Sequence, residues 1–278
     1  MTREEWLAKH PYLQQVADFH ALVEHTVKQV PIPCATVPTW HEYVTEFQAG
    51  VPVLHSPSAK IDLDCLSGSI GSVVEKLSAT NLPRELIDSS RALDTELNGT
   101  SDAPQRAVNW LVDRDTFQSD NAGLLWFVGW TVLARHLSPL AVAFTAWRDE
   151  DRWLRNYCPL CGAPPAMAQL VGDDPGRIRL LSCGCCHSRW RYRRTRCPFC
   201  EEPDDQQLAA LIVEGEDGLR IDYCKICNGY IKTYNGTGNE DLMLSDWSSV
   251  HLDILASGRA LKRCARSLYE IPKNIGTS

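Results

Sequence analysis

Cys158-Pro159-Leu160-Cys161, Cys183-Gly184-Cys185-Cys186, Cys197-Pro198-Phe199-Cys200 and Cys224-Lys225-Ile226-Cys227 are four CxxC pairs in one stretch of chain. Each pair lets two thiolates from one tight turn point at a single cation while backbone N–H groups face the sulfurs. A divalent transition metal suits four such thiolates in a tetrahedron. Cys161 and Cys183 are separated by 21 residues, and Cys200 and Cys224 by 23, each the length of a β-hairpin. Only 10 residues lie between Cys186 and Cys197, enough for one strand and a link. The simplest pairing is therefore sequential. Cys158, Cys161, Cys183 and Cys186 form one site, and Cys197, Cys200, Cys224 and Cys227 the other. The stretch reads as a repeat of knuckle, hairpin and knuckle.

Thiol identity does not separate iron from zinc, since both accept four thiolates. A site closed by four thiolates has no open position for substrate. Such metals fold a small domain that could not otherwise bury a core. Cys185 is an extra thiol in its knuckle, and the regular pair Cys183/Cys186 is expected to ligate. Cys34, Cys65 and Cys264 stand alone and are expected to be buried apolar residues.

Outward from the knuckles, strands are expected over Arg177–Ser182, Ser188–Arg194, Leu208–Glu214, Leu219–Tyr223 and Tyr230–Tyr234. Turn signals lie at Asp173-Asp174-Pro175-Gly176 and Glu216-Asp217-Gly218. A last helix is expected from Asp246 to Leu261.

Before residue 154 the pattern is helical. Tyr12, Leu13, Val16, Phe19, Leu22, Val23 and Val27 recur at helical spacing. Thr39 and Glu42 form a capping box for a helix ending at Gly50. Further helices are expected over Ser69–Ser78, Pro83–Leu97 and Pro104–Val112. The apolar run Ala122–Trp147 reads as a buried hairpin of two helices, Leu124–Leu137 and Leu140–Leu154, broken at Pro139.

The expected fold class is α+β. An all-helical domain (1–154) precedes two tandem rubredoxin-like or zinc-ribbon β modules (155–195 and 196–240), then a C-terminal helix and tail (241–278).

The chain has 278 residues, 44% of them hydrophobic, and a formal net charge of -7. That balance disfavours general binding to nucleic acid or anionic lipid. Arg135, His136 and Pro139 interrupt the most apolar run, so no membrane span is expected. The start carries charges and no apolar run, so no secretory signal is expected. Twelve cysteines without such a signal point to a reducing cytoplasm, where clustered thiols bind metal.

Nine arginines and no lysine lie between Arg152 and Cys200, opposed only by Asp173 and Asp174. In Arg189-Trp190-Arg191-Tyr192-Arg193 the arginines share one face of a strand and the aromatics the other. The plain reading is a solvated face over an apolar one. The sharper readings are a docking surface for carboxylates or phosphates, or a nucleic-acid site in which Trp190 and Tyr192 stack bases. The eight histidines do not cluster in sequence, and no catalytic constellation is legible, so no enzyme activity is expected.

Several stretches carry a resemblance to a known family. They are Cys158 to Gly162 followed by Ala163-Pro164-Pro165; Cys183 to Cys186 with Trp190 and Tyr192; Cys197-Pro198-Phe199-Cys200; and Tyr223 to Cys227 with Tyr230 and Lys232. Together they resemble the formate dehydrogenase accessory protein FdhE family. Phe47-Gln48-Ala49-Gly50-Val51-Pro52-Val53-Leu54 and the stretch from Asp246 to Leu255, with Leu252 and Asp253, are similar to two further regions of that family.

The resemblance implies a helical N-terminal domain and two rubredoxin-like modules. It implies two iron ions, one per four cysteines, with zinc as the alternative. It also implies a cytoplasmic role in maturing respiratory formate dehydrogenase, with that enzyme's catalytic subunit, a molybdenum or tungsten protein, as partner. Two other functions stay open from the residues themselves: a nucleic-acid-binding ribbon protein, and an electron-transfer or thiol redox protein. A second copy of the chain also stays open as a partner.

Overall fold

The computed structural model describes residues 1–59, 62–80, 82–147, 153–173, 176–216 and 218–269. Five sequence expectations fall outside these residues: Arg152, the end of the second hairpin helix over 148–152, the turn residues Asp174 and Pro175, the turn residue Asp217, and the tail from 270.

Among the described residues seven α-helices come first. They are α1 (Arg3–Lys9), α2 (Gln14–Gln29), α3 (Trp40–Ala49), α4 (Leu63–Ser78), α5 (Arg84–Leu97), α6 (Ala103–Leu111) and α7 (Ala122–Trp147). Thr2 with Glu5 and Thr39 with Glu42 form reciprocal capping boxes that start α1 and α3. Gly50 closes α3 in the left-handed region, at φ 81°. Asp62 accepts a bond from the Cys65 N–H and starts α4 ahead of the expected Ser69. In the stripe expected of the first helix, Leu13, Val23 and Val27 are buried, whereas Tyr12 precedes α2 and is 61% exposed.

The expected hairpin is instead one helix, α7, with Pro139 inside it. A proline leaves the carbonyl four residues back without its donor and costs about 3 kcal/mol. Here that carbonyl belongs to Arg135, and the Ser138 hydroxyl donates to it at 2.8 Å. Leu137 and Leu140, on either side of the proline, are fully buried. At about 1.5–3 kcal/mol for each buried leucine, their packing outweighs the residual cost of the break. By length and composition the segment Ala122–Thr145 could cross a membrane. In the fold its Leu125, Val128, Val132 and Leu133 have no exposure and face the core that α7 shares with α2 and α4.

The strands are β1 (Pro165–Val171), β2 (Ile178–Cys183), β3 (Arg189–Tyr192), β4 (Leu208–Ile212), β5 (Leu219–Cys224) and β6 (Gly229–Asn235). They form one sheet in the order β3-β2-β1-β6-β5-β4. Within each half the strands are antiparallel. The halves meet through a parallel pair, β1 with β6, in which Met167 lies opposite Lys232. The two modules are thus joined edge to edge into a continuous sheet.

Sequence reading did not anticipate β1. As a central strand it is buried on both faces over Pro165–Leu170, so it lacks the alternation that marks a half-exposed strand. Ala168, Leu181, Trp190 and Ile231 share a core with the helices, including Phe47 and Phe127. Met167, Ile221, Tyr230 and Tyr234 pack in a second core with Trp6, Trp247 and Leu252.

The expected last helix is shorter than the sequence suggested. After α8 (Glu240–Met243), a 3-10 turn covers Asp246–Ser249, and α9 runs over Val250–Ser257. A two-residue strand, β7 (Lys262–Arg263), pairs in parallel with the start of β6.

A buried charge cluster ties β6 to this C-terminal part. Lys232 is 1% exposed and donates to Asp246 at 2.6 Å and Asp253 at 2.9 Å. Arg263 bonds the same two carboxylates at 2.8 and 2.6 Å, and the Tyr230 hydroxyl donates to Asp253 at 2.7 Å. Two cations meet two anions, so the cluster is balanced. Burial disfavours the Asp246 carboxylate, but Lys232 and Arg263 outweigh it and hold its pKa well below the usual aspartate range.

Removing one member strands a buried charge. Lys232→Ala is expected to destabilise the fold by about 3–5 kcal/mol in urea unfolding, far above the 0–1 kcal/mol of an exposed pair. Because Asp246 has a lower pKa folded than unfolded, its contribution is present at neutral pH. It is lost as the pH falls from about 4 toward the folded pKa, so stability measured across acid pH should drop less steeply in Asp246→Asn than in the parent.

Candidate metal centres

A CxxC turn needs one residue that bends the chain back after the second cysteine. Gly162, His187, Glu201 and Asn228 each follow a second cysteine, and all four adopt positive φ, at 79°, 60°, 58° and 57°. The four knuckles therefore share one backbone shape, although only Gly162 is a glycine. That shape aims N–H groups at sulfur. Leu160 and Cys161 donate to Cys158 Sγ, Cys185 and Cys186 to Cys183 Sγ, Phe199 to Cys197 Sγ and Gly229 to Cys227 Sγ, at 3.3–3.5 Å.

The hairpins then bring the knuckles together two by two. The sulfurs of Cys158, Cys161, Cys183 and Cys186 lie within 4.8 Å of one another, as do those of Cys197, Cys200, Cys224 and Cys227. In the first group Cys158–Cys186 and Cys161–Cys183 are 3.4 Å apart. In the second, Cys197–Cys227 and Cys200–Cys224 are 3.8 Å apart. A tetrahedron with metal–sulfur bonds of about 2.3 Å has edges of roughly 3.8 Å. The second group already has that size, and the first reaches it with shifts of a few tenths of an ångström. The donor set of each group fits a thiolate-binding transition metal.

The two groups differ in their surroundings. In the first, all four cysteines are buried, none more than 7% exposed. Its leading knuckle is clamped by the segment after α3, where the N–H groups of Val53 and Leu54 donate to the carbonyls of Pro159 and Leu160 at 2.9 and 2.8 Å. The Tyr157 hydroxyl donates to the Gly50 carbonyl at 2.8 Å. Gly50 holds φ at 81°, a conformation that strains any residue with a Cβ, so glycine is favoured there. In the second group Cys197 and Cys224 are buried, Cys227 is half-buried and Cys200 is exposed.

Protons alone cannot hold such groups in one charge state. Burial pushes the Cys158 thiol far up, and the surrounding thiols raise Cys161. At Cys183 burial is outweighed by the thiols of Cys158, Cys161, Cys185 and Cys186, which hold it well below its usual value. Burial likewise raises Cys227 to about 11, while at Cys200 backbone and thiol donors outweigh burial and lower it. A bound cation replaces these protons, so metal uptake is coupled to proton release.

Cys185 is buried beside the first group, with its thiol directed at Cys183. Cys34, Cys65 and Cys264 are exposed, contrary to expectation. Cys34 lies in an extended link and Cys65 in the first turn of α4, on its solvent side.

The alternation of Arg189 to Tyr192 holds, but its aromatic face points inward. Trp190 is 1% and Tyr192 2% exposed, and both are hydrogen-bonded, to the carbonyls of Arg155 and Cys197. They offer no surface for stacking bases. Arg179 is buried as well, its guanidinium on the Arg193 and Arg196 carbonyls and over the Tyr192 ring. Burial lowers its pKa to about 10, which leaves it charged at neutral pH. What remains as an arginine surface is Arg177, Arg191, Arg193 and Arg194 around a shallow cavity of about 170 Å³.

Sequence reading also missed a third meeting of ligand types. His10, Glu216 and His251 converge, although 206 and 35 residues separate Glu216 from the two histidines. Such separations leave no local spacing to read.

No protein-family model matches the chain. An FdhE homolog of Aquifex aeolicus is 32% identical over 142 residues, which cover 49% of this chain and 50% of that protein. An FdhE homolog of Pseudomonas aeruginosa is 34% identical over 118 residues, covering 39% and 38%. The crystal structure of the FdhE protein from Pseudomonas aeruginosa superposes with a TM-score of 0.60 at 18% identity, covering 98% of this chain and 97% of that one. The resemblance to the FdhE family holds. In sequence the chain spans half the length or less of these two FdhE relatives, whereas the FdhE fold match runs nearly end to end.

The contrast in burial has a measurable consequence. In metal-loaded protein mixed with a chelator, the exposed second group should lose its metal first and the sealed first group much later, as two resolved phases. Cys158→Ser should remove only the slow phase and Cys224→Ser only the fast one, each with the helical part still folded by circular dichroism.

Proposed function

We propose that the chain is a metal-binding accessory protein for the maturation of formate dehydrogenase, acting in the cytoplasm by docking that enzyme's catalytic subunit. The observation that carries this reading is the pair of four-cysteine groups built into one sheet, in a chain similar to FdhE proteins. Each group takes one metal ion, iron in our reading and zinc as the alternative. The eight ligands are Cys158, Cys161, Cys183, Cys186, Cys197, Cys200, Cys224 and Cys227. With four thiolates the coordination shell is closed, which suits a structural or redox metal rather than one that binds substrate. The chain is in this reading a helper rather than an enzyme.

Docking falls to the surface around Arg177, Arg191, Arg193 and Arg194, because guanidinium groups at an interface fork onto carboxylates. One observation supports a second, compatible role. Cys200 brings the second group to solvent, so an iron there could exchange an electron with a partner.

A pull-down from cells making formate dehydrogenase tests the proposal. The tagged chain is expected to recover the catalytic subunit, and the triple variant Arg191→Glu, Arg193→Glu, Arg194→Glu to lose it while keeping both thiolate metals. Recovery of no catalytic subunit by the parent chain contradicts the docking role.

A further inference from the structure

His10 caps the end of α1, Glu216 lies in the turn between β4 and β5, and His251 lies in α9. Folding brings one oxygen of Glu216, Oε1, to 3.0 Å from His10 Nε2 and 2.7 Å from His251 Nε2. The three side chains are 5%, 7% and 12% exposed. The imidazole rings lie nearly parallel, 5.2 Å apart at 29°.

The proton inventory of this group is unusual. His10 Nδ1 sits 3.0 Å from the Trp6 carbonyl, which can only accept, so Nδ1 carries the proton. In the neutral ring Nε2 then presents a lone pair, and it faces a carboxylate oxygen. Two acceptors at 3.0 Å need a positive centre between them. Glu216 Oε2 and His251 Nδ1 are also buried, and among the described residues neither has a hydrogen-bond partner. A single proton on His10 relieves one contact and leaves those two atoms as they are. A cation bound by both Nε2 atoms and the carboxylate relieves both nitrogen–oxygen contacts at once and takes Glu216 Oε2 as a second carboxylate donor, while His251 Nδ1 carries the proton of a neutral ligating ring.

We infer that His10, Glu216 and His251 form a third metal site, separate from the cysteine groups, for a divalent transition metal of the zinc class. Two imidazoles and one carboxylate suit zinc, cobalt or nickel and exclude a calcium-type all-oxygen shell. The Nδ1–H bond from His10 to a backbone carbonyl is the arrangement that fixes a ligating histidine's tautomer. With bonds of about 2.0–2.1 Å, a tetrahedral site has edges of roughly 3.3 Å, so the side chains withdraw by a few tenths of an ångström to admit the ion. Three protein ligands leave a fourth position for water or a small anion. The ion pins the N-terminal helix α1 and the C-terminal helix α9 to the same β turn.

The test uses full-length protein with its thiolate sites already loaded, and cobalt(II) alone as the probe. Cobalt held by nitrogen and oxygen gives weak visible bands without the strong sulfur-to-metal absorption of a thiolate site. The parent chain is expected to take up one cobalt beyond the thiolate-bound metals and to melt at a higher temperature with it. His251→Ala and the near-isosteric Glu216→Gln should bind that ion at least about 100-fold more weakly, the upper end of what losing even an outer-shell partner costs. Both variants should keep their thiolate metals and their circular dichroism. If the parent takes up no cobalt beyond the thiolate-bound metals, the group is an imidazolium–carboxylate pair and the inference fails. If both variants take up the ion as tightly as the parent, the ion sits elsewhere and the inference fails equally.

Discussion

Four sulfurs held within 4.8 Å of one another, twice over, are what the C-terminal half is built around. Thiols crowded this closely repel one another as anions and leave weak donors unused as neutral groups, most acutely in the fully buried first group. A bound cation would resolve both problems. The hairpin strands bury their apolar side chains against the helices rather than against one another, and a metal in each four-sulfur group would tie the knuckle ends that this packing leaves. The sheet follows from the same constraint. Each four-sulfur group gathers the ends of one hairpin, and the two hairpins join through the parallel contact of β1 with β6.

That joint packs the cysteine-rich part against the helical part. β1 and β6 are covered on both faces, by the helices on one side and by α1 with the C-terminal helices on the other. The Gly50 to Leu54 segment reaches across to hold the first knuckle by its backbone. On the far side the Lys232 cluster locks β6 to Asp246, Asp253 and Arg263. These contacts give physical content to the stretches that resemble FdhE proteins. Gly50 and Leu54 support a metal knuckle, while Lys232 and Asp253 are partners in one buried ion cluster. The first metal group is sealed by this packing, and the second is left at the surface.

Local chemistry was legible in the sequence, and compensation was not. The CxxC spacing determines which thiols can meet, so the grouping of the cysteines followed from counting residues. The Thr39 and Glu42 cap was legible because both partners lie within one turn. Pro139 misled because its cost is offset by Ser138 and by two buried leucines, none of which a proline rule considers. β1 was invisible because a strand covered on both faces has no alternation. The alternation of Arg189 to Tyr192 makes a solvated arginine face over an apolar one legible, and Trp190 and Tyr192 are buried accordingly. His10 and His251 looked unrelated because only the folded chain brings them to Glu216.

The central claim is that each four-cysteine group holds one metal through all four sulfurs. X-ray absorption at the metal edge, with metal content per chain, measured on protein purified without oxygen, tests it most directly. The account predicts two thiolate-bound ions per chain, each with four sulfurs at about 2.3 Å, and an iron edge with thiolate-to-iron bands in the visible spectrum. Protein that is folded but carries no thiolate-bound metal, or a single ion shared by cysteines of both groups, would contradict it.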